Sequence, residues 1–394
     1  MYFRQKKRLI ALFTLTVIFL VLFLTPAGAA ETKFELEAEA AILIDALAGN
    51  ILYEKNIHEP LPPASITKIM TLLLALEAIE EGKVSLGEEV VVSERAASMG
   101  GSQIFLSPGD VVTMEELLIG IAVGSGNDAS VAVAEHIAGS LEGFVDMMNE
   151  RASQLGMDHT VFQNACGLHI EGHVTTAYDI ALMSRELLKY PEIHEWFTIW
   201  LDEDFLKGRI SVEEGIYLSN TNRMVRYYPG CDGLKTGYTS QAGHCIAATA
   251  RRDDTRFIAV ILNAPDSKTR FNEAGELLDY AFANFETVLL AEKGQVIEEV
   301  QVEKGKESTV ELILPEELGI LVEKAEVPDF EKEVVITHSL TAPLTVGEKL
   351  GELIISREGQ EVLKKNLVAE KSIDRASLLD IFHRILSEWV KFGR

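Results

Sequence analysis

The sequence predicts an α+β fold, an antiparallel sheet with helices around it, followed by a small all-β domain and a C-terminal amphipathic helix. Three observations predict it. From Ala40 to about Glu286, short apolar runs of strand length are interleaved with longer stretches that are apolar at helical spacing. After Glu286 the texture turns to segments such as QVIEEVQV, STVELIL, KEVVITH and KLGELIIS, broken by Gly, Pro and charged turns, with no long helical pattern until residue 376. The 394 residues are 47% hydrophobic and 25% charged, ordinary globular usage that excludes a disordered, collagenous or multi-span membrane chain.

Taken in order, residues 1–29 read as a secretory signal. Arg4, Lys6, Lys7 and Arg8 precede an apolar run from Leu9 to Leu24, and the A-x-A pattern at Ala27 and Ala29 predicts cleavage after Ala29. That run is short for a membrane span; an uncleaved anchor is the alternative. Removal takes away four basic and no acidic residues, so 32 basic side chains face 61 acidic ones and the formal charge moves from -25 to -29. A polyanionic backbone would be repelled, which argues against nucleic acid as a partner. The mature chain is expected outside the cytoplasmic membrane.

Residues 30–286 form the first predicted domain. AAILID, the turn ALAGN and ILYE read as a hairpin around Gly49-Asn50. Pro62-Pro63 introduce a helix from Ser65 to Glu81. Further helices are predicted at 114–123, 128–138, 141–155, 176–189 and 270–285, and GLKTGYT, GHCIAATA and RFIAVILNA read as strands. Residues 287–371 make the β-sandwich-like domain, where nothing concentrates catalytic residue types; the charge-rich stretch Glu361 to Lys365 reads as a solvated face. In 372–394, Leu378, Phe382, Ile385, Leu386 and Trp389 fall at helical spacings among Arg375, Arg384, Lys391 and Arg394. This predicts an anchor at the membrane surface, with a helix docked on its own domain as the alternative.

The cysteines, Cys166, Cys231 and Cys245, are too few for a disulfide framework, though a bridge from Cys231 to Cys245 stays open. His169, Glu171 and His173 resemble a zinc motif, but Gly172 argues against the helix that spacing needs, so no metal is expected.

Three short motifs carry chemistry: Ser65-Ile66-Thr67-Lys68, Ser125-Gly126-Asn127 and Lys235-Thr236-Gly237. Each alone is weak, since an S-x-x-K arises roughly once by chance in a chain of this size. Their order carries the weight. Positions three apart share a helix face, so the Lys68 amine can reach the Ser65 hydroxyl. A serine needs a base, and lysine serves only when burial or a nearby cation lowers its pKa; Lys235 is a candidate for that cation. Ser125 can relay a proton to the leaving amine, and the Asn127 amide can hold Lys68 and a substrate amide. The N–H groups of Ser65 and Tyr238 can bind an oxyanion. These parts make an acyl-transfer site with no cofactor.

With these motifs, PPASITKIMT, GGSQIFLSPGD, SGNDAS, GCDGLKTGYTSQAGHC and TRFNEA make the sequence resemble the serine D-Ala-D-Ala carboxypeptidases, the low-molecular-mass penicillin-binding proteins. The resemblance covers nearly the whole chain and implies a β-lactamase/transpeptidase-like catalytic domain. It implies a Ser65 acyl-enzyme that releases the terminal D-Ala of peptidoglycan stem pentapeptides, with β-lactam antibiotics as covalent inhibitors. Lys68 is then the general base, Ser125 and Asn127 the relay and clamp, and Lys235, Thr236 and Gly237 the substrate-binding strand. Arg270 matches an arginine that binds the substrate's terminal carboxylate with the threonine hydroxyl. Cys166 beside Gly167-Leu168 departs from the family pattern. A class A β-lactamase would carry an E-x-x-x-N loop, and no glutamate between Ser125 and Lys235 has Asn four residues on. A DD-endopeptidase and a wall-binding adaptor are the competing expectations.

Overall fold

The computed structural model describes residues 35–324, 326, 329–336 and 339–380. The predicted signal and all but the first turn of the predicted anchor helix lie outside the described residues. Among those described, no helix is long and apolar enough to cross a membrane.

A five-stranded antiparallel sheet runs in the order Ile51–Lys55, Ala40–Asp45, Thr255–Ala264, Gly243–Arg252, Cys231–Thr239. Ala40–Asp45 is buried at every position, which is why it reads as a continuous apolar run rather than an alternating one. The turn after it is fixed by the Asp45 carboxylate, which accepts from the N–H of Ala48 at 2.7 Å and of Asn50 at 2.6 Å. Helix Ser267–Asn284 packs on the two strands Gly243–Arg252 and Thr255–Ala264. Helix Lys68–Glu80 is surrounded by Met114–Ala122, Asn127–Ala138, Leu141–Gln154 and Ala177–Leu187. Its residues Lys68 to Leu76 are all buried, and that stretch is apolar all round apart from Lys68 and Thr71.

The helix expected from Ser65 differs at its start: Ala64–Thr67 is a 3₁₀ turn and the α-helix begins at Lys68. Two antiparallel strand pairs escaped the sequence reading, Glu89–Val91 with Val111–Thr113 and Leu201–Phe205 with Ile216–Ser219. Strands of three to five residues are too short to display a period.

The C-terminal domain holds a six-stranded sheet in the order Glu331–Ile336, Lys349–Arg357, Gln360–Ala369, Thr309–Ile313, Val296–Glu303, Leu340–Thr341, and a separate pair, Phe285–Ala291 with Leu318–Glu323. Val310, Leu312, Leu353, Ile355 and Leu367 form its core. Glu361 to Lys365 lies in the strand Gln360–Ala369, where Glu361, Val362 and Lys364 are exposed, as a solvated face requires, and Leu363 packs on that core. The domain also runs past residue 371, because Ile373 is 1% exposed and bridges to Leu344 while Arg375 bridges to Gly305. Beyond it a helical turn opens at Ser377, whose hydroxyl accepts from the Asp380 N–H at 3.2 Å; Leu378 and Leu379 stand 88% and 71% exposed.

All three cysteines are free. Cys231 pairs with Ala250 and Cys245 with Gly237, so the two stand several positions apart along their ladder, farther than the roughly 7 Å a disulfide spans.

Candidate active site

Lys68 organises the site. Its ammonium is fully buried and donates to three acceptors: Ser65 Oγ at 3.1 Å, Asn127 Oδ1 at 2.7 Å and the Cys166 carbonyl at 2.6 Å. Three bonds exhaust a lysine's donors. Burial pushes its pKa down to about 8, against the opposing pull of the Cys166 thiol and the Asp128 carboxylate. The Ser65–Lys68 contact thus follows from the 3₁₀ turn, in which residues three apart eclipse.

The second motif lies where helix Met114–Ala122 gives way to helix Asn127–Ala138. Ser125 takes a left-handed φ of 62°, unusual for a residue with a side chain, and its buried hydroxyl has no hydrogen-bond partner among the described residues. Asn127 accepts from Lys68 while its amide donates to the Gly100 carbonyl at 2.6 Å. Next to it Asp128 is completely buried, and its carboxylate accepts from the N–H groups of Ile104 and Leu106, each at 3.1 Å. Both neighbours of Phe105 are thereby pinned, and the Phe105 ring is left 60% exposed.

The third motif lies on the sheet's edge strand. Gly237 passes so close to the nucleophile turn that a Cβ there would lie 3.0 Å from the Ser65 nitrogen. Lys235 is fully buried, its amine has no partner among the described residues, and burial, with the charges of Lys68 and Arg270, holds its pKa well below the ordinary lysine value. Burial is the main cause of the depression for both amines, and the two cations Lys68 and Lys235 repel each other across the site. Thr236 is 5% exposed, whereas Tyr238 is 60% exposed and stacks on His244 with ring centroids 4.4 Å apart. Arg270 reaches back from the first turn of its helix and donates from Nη1 to the Gly237 carbonyl at 3.0 Å.

The loop behind Ser65 supplies residues whose roles the sequence left unread. Asn164 Oδ1 accepts from the N–H of Cys166 at 3.1 Å and of Gly167 at 2.6 Å, aiming the Cys166 carbonyl at Lys68. Cys166 thus approaches the site through its backbone. Gly167 has a left-handed φ of 86°, and a Cβ on it would fall 1.8 Å from the Ala64 carbonyl oxygen. His173 takes the Gln163 N–H on Nδ1 at 3.1 Å, so Nε2 carries the proton and donates to Thr67 Oγ1 at 2.8 Å. Burial lowers its pKa to about 4, which keeps it neutral. With both ring nitrogens engaged it is a brace for the nucleophile turn, and the H-x-x-x-H spacing that invited a zinc reading has this structural explanation.

A serine hydrogen-bonded to a buried lysine whose amine is also held by Asn127 is an arrangement suited to acyl transfer at a serine. The chain belongs to the D-alanyl-D-alanine carboxypeptidase family, whose model matches residues 27–266; the model of the penicillin-binding protein 5 C-terminal domain matches residues 285–375. A relative from Bacillus subtilis, D-alanyl-D-alanine carboxypeptidase DacF, is 43% identical over 357 residues, 90% of this chain and 91% of its own. Penicillin-binding protein 5 from Haemophilus influenzae superposes with a TM-score of 0.69 at 30% identity, covering 87% of this chain and 99% of that one. Penicillin-binding protein D2 from Listeria monocytogenes, in its ampicillin-bound form, gives 0.56 at 29% identity over 63% of this chain and 99% of its own. The enzyme class is serine-type D-Ala-D-Ala carboxypeptidase.

Proposed function

We propose that Ser65 is the nucleophile of this carboxypeptidase and that neutral Lys68 takes its proton. Ser65 Oγ bonds to the carbonyl carbon of the penultimate D-Ala, and the developing oxyanion is received by the N–H groups of Ser65 and Tyr238. Ser125 delivers the proton to the leaving nitrogen, the C–N bond breaks, and D-Ala departs; water then cleaves the ester. Asn127 holds Lys68 and the substrate amide. Lys235, Thr236 and Gly237 line the extended substrate, and Arg270 with Thr236 receives its terminal carboxylate. None of these steps calls on a metal or cofactor. The reading rests above all on the threefold anchoring of the buried Lys68 amine beside Ser65 Oγ. Peptidoglycan stem pentapeptides are the substrates, β-lactams are covalent inhibitors of the same serine, and the work is cell-wall biogenesis and remodelling.

The test is mass spectrometry after mixing with penicillin, alongside a free D-Ala assay on a pentapeptide ending in D-Ala-D-Ala. A single adduct, lost in Ser65→Ala, together with D-Ala release is expected. An adduct that persists in Ser65→Ala would overturn the assignment.

We further propose that the enzyme works on the outer face of the cytoplasmic membrane, held peripherally by residues 372–394, as the signal-like N-terminal sequence and the amphipathic tail suggest. Two exposed leucines opening a helical turn support that reading. Deleting residues 376–394 is expected to release the protein from vesicles while turnover of soluble peptide persists; continued sedimentation with vesicles would place the anchor elsewhere.

A further inference from the structure

Phe105 is held in a way that folding alone does not call for. Its φ of 56° is left-handed, a conformation that bulky side chains rarely adopt, and its exposed ring has no ring partner among the described residues. A strained backbone and an apolar ring in water both cost stability. The surroundings nevertheless enforce the arrangement. Ile104 and Leu106 on either side are buried, and the buried Asp128 carboxylate accepts from both of their N–H groups.

The pinned segment runs along the catalytic groups. The Ser102 carbonyl accepts from the Asn127 N–H at 2.8 Å, and the Gly100 carbonyl from the Asn127 side-chain amide at 2.6 Å. Ile104 packs under the second motif, where a Cβ on Gly126 would lie 3.3 Å from its Cγ2. Gly101 meets the loop that aims the Cys166 carbonyl: a Cβ there would lie 3.7 Å from Leu168 Cδ2. Residues 100–106 therefore form one rim of the cleft, and Phe105 turns outward from it while its neighbours turn inward.

Asn127 uses one amide hydrogen on Gly100, which leaves the second for a substrate carbonyl. On the acyl side of the scissile bond, that carbonyl belongs to the residue before the penultimate D-Ala. Its side chain then leaves the cleft over the rim that carries Phe105. We propose that the Phe105 ring is the wall of an acyl-side subsite, against which an aliphatic side chain on that residue lies. The enzyme thereby favours stems with several methylenes at this position over stems with a short side chain. A polar group at the end of such a chain stays in water while its methylenes cover the ring. The inference rests on the carboxypeptidase reading and adds a side-chain preference to it.

The full-length enzyme is assayed for D-Ala release from acetylglycyl-, acetylnorleucyl- and diacetyllysyl-D-Ala-D-Ala. Wild type is expected to prefer the two long side chains. In Phe105→Ala the kcat/KM ratio of the norleucyl to the glycyl peptide should fall about tenfold, the effect of burying roughly two methylenes. The lysyl to glycyl ratio should fall with it, and Phe105→Tyr should keep both ratios. The unfolding midpoint of Phe105→Ala should not drop, because the ring is exposed and stacks on no other. An unchanged norleucyl to glycyl ratio overturns the inference, and so does a lysyl peptide that responds alone, which would place the contact at its polar end. An equal loss on all three peptides with a lowered midpoint also overturns it and makes Phe105 a brace for the segment beside Asn127. Failure of the wild-type enzyme to release D-Ala from any peptide would instead strike the underlying reading.

Discussion

Replacing Lys68 by alanine should slow acylation by penicillin by about 10³- to 10⁴-fold, the upper range for loss of a positioned base on the nucleophile. The substitution leaves Asn127 Oδ1 and the Cys166 carbonyl without their donor, a loss of about 1–3 kcal/mol in stability, so the fold should survive. Lys68→Arg is the sharper control. Arginine keeps the positive charge and the donors but does not deprotonate, so it too should be inactive. An arginine variant that still acylates would remove Lys68 from the role of base. The pH dependence follows with its sign. Burial lowers the amine to about 8, so the neutral form is scarce below that value and dominant above it. Acylation should rise about tenfold per pH unit on the acid side and flatten on the alkaline side, read from adduct formation over time.

Gly167→Ala is expected to be nearly as damaging, although the residue contributes no side chain. Its left-handed φ of 86° already disfavours alanine, and the new methyl carbon would sit 1.8 Å from the Ala64 carbonyl oxygen. Either the Cys166–Leu168 segment or the Ser65 turn must move. Destabilisation of about 2–4 kcal/mol should accompany a loss of acylation of about 100-fold, because displacements near 1 Å in a reacting group have effects of that order. Thermal unfolding and adduct formation measure the two effects separately. A variant of wild-type stability that acylates at full rate would show that the loop yields without disturbing Ser65.

The three motifs were readable because each is local: a turn brings Ser65 to Lys68, and single residues separate Ser125 from Asn127. The strands Gly243–Arg252 and Thr255–Ala264 were readable because apolar runs bounded by turn residues need no partner to be recognised, and Cys231–Thr239 because it carries the Lys235-Thr236-Gly237 motif just before the turn that leads to them. What was not readable depends on chain crossings. Asp128 follows Asn127 in sequence, yet its task of pinning the backbone on either side of Phe105 exists only once residues 104–106 arrive beside it. The Cys166 carbonyl has no side-chain signature, since any residue could offer it to Lys68. His173 was singled out for its spacing to His169, whereas its partners, Thr67 and Gln163, come from two other parts of the fold. The depth at which Lys68 and Lys235 are buried was likewise invisible, because it is set by the elements that close over both amines.

Helix Ser267–Asn284 passes into strand Phe285–Ala291 with no residue between them, and the junction is stitched on both sides. The Thr287 N–H donates to Thr255 Oγ1 at 2.8 Å, and Lys324 donates from its backbone to the Asn284 carbonyl at 2.9 Å and from its amine to the Phe282 carbonyl at 2.7 Å. A loose tether would let the two domains swing independently; this splice leaves no free linker, so a pull on the β-domain reaches the strands of the catalytic sheet through unbroken main chain.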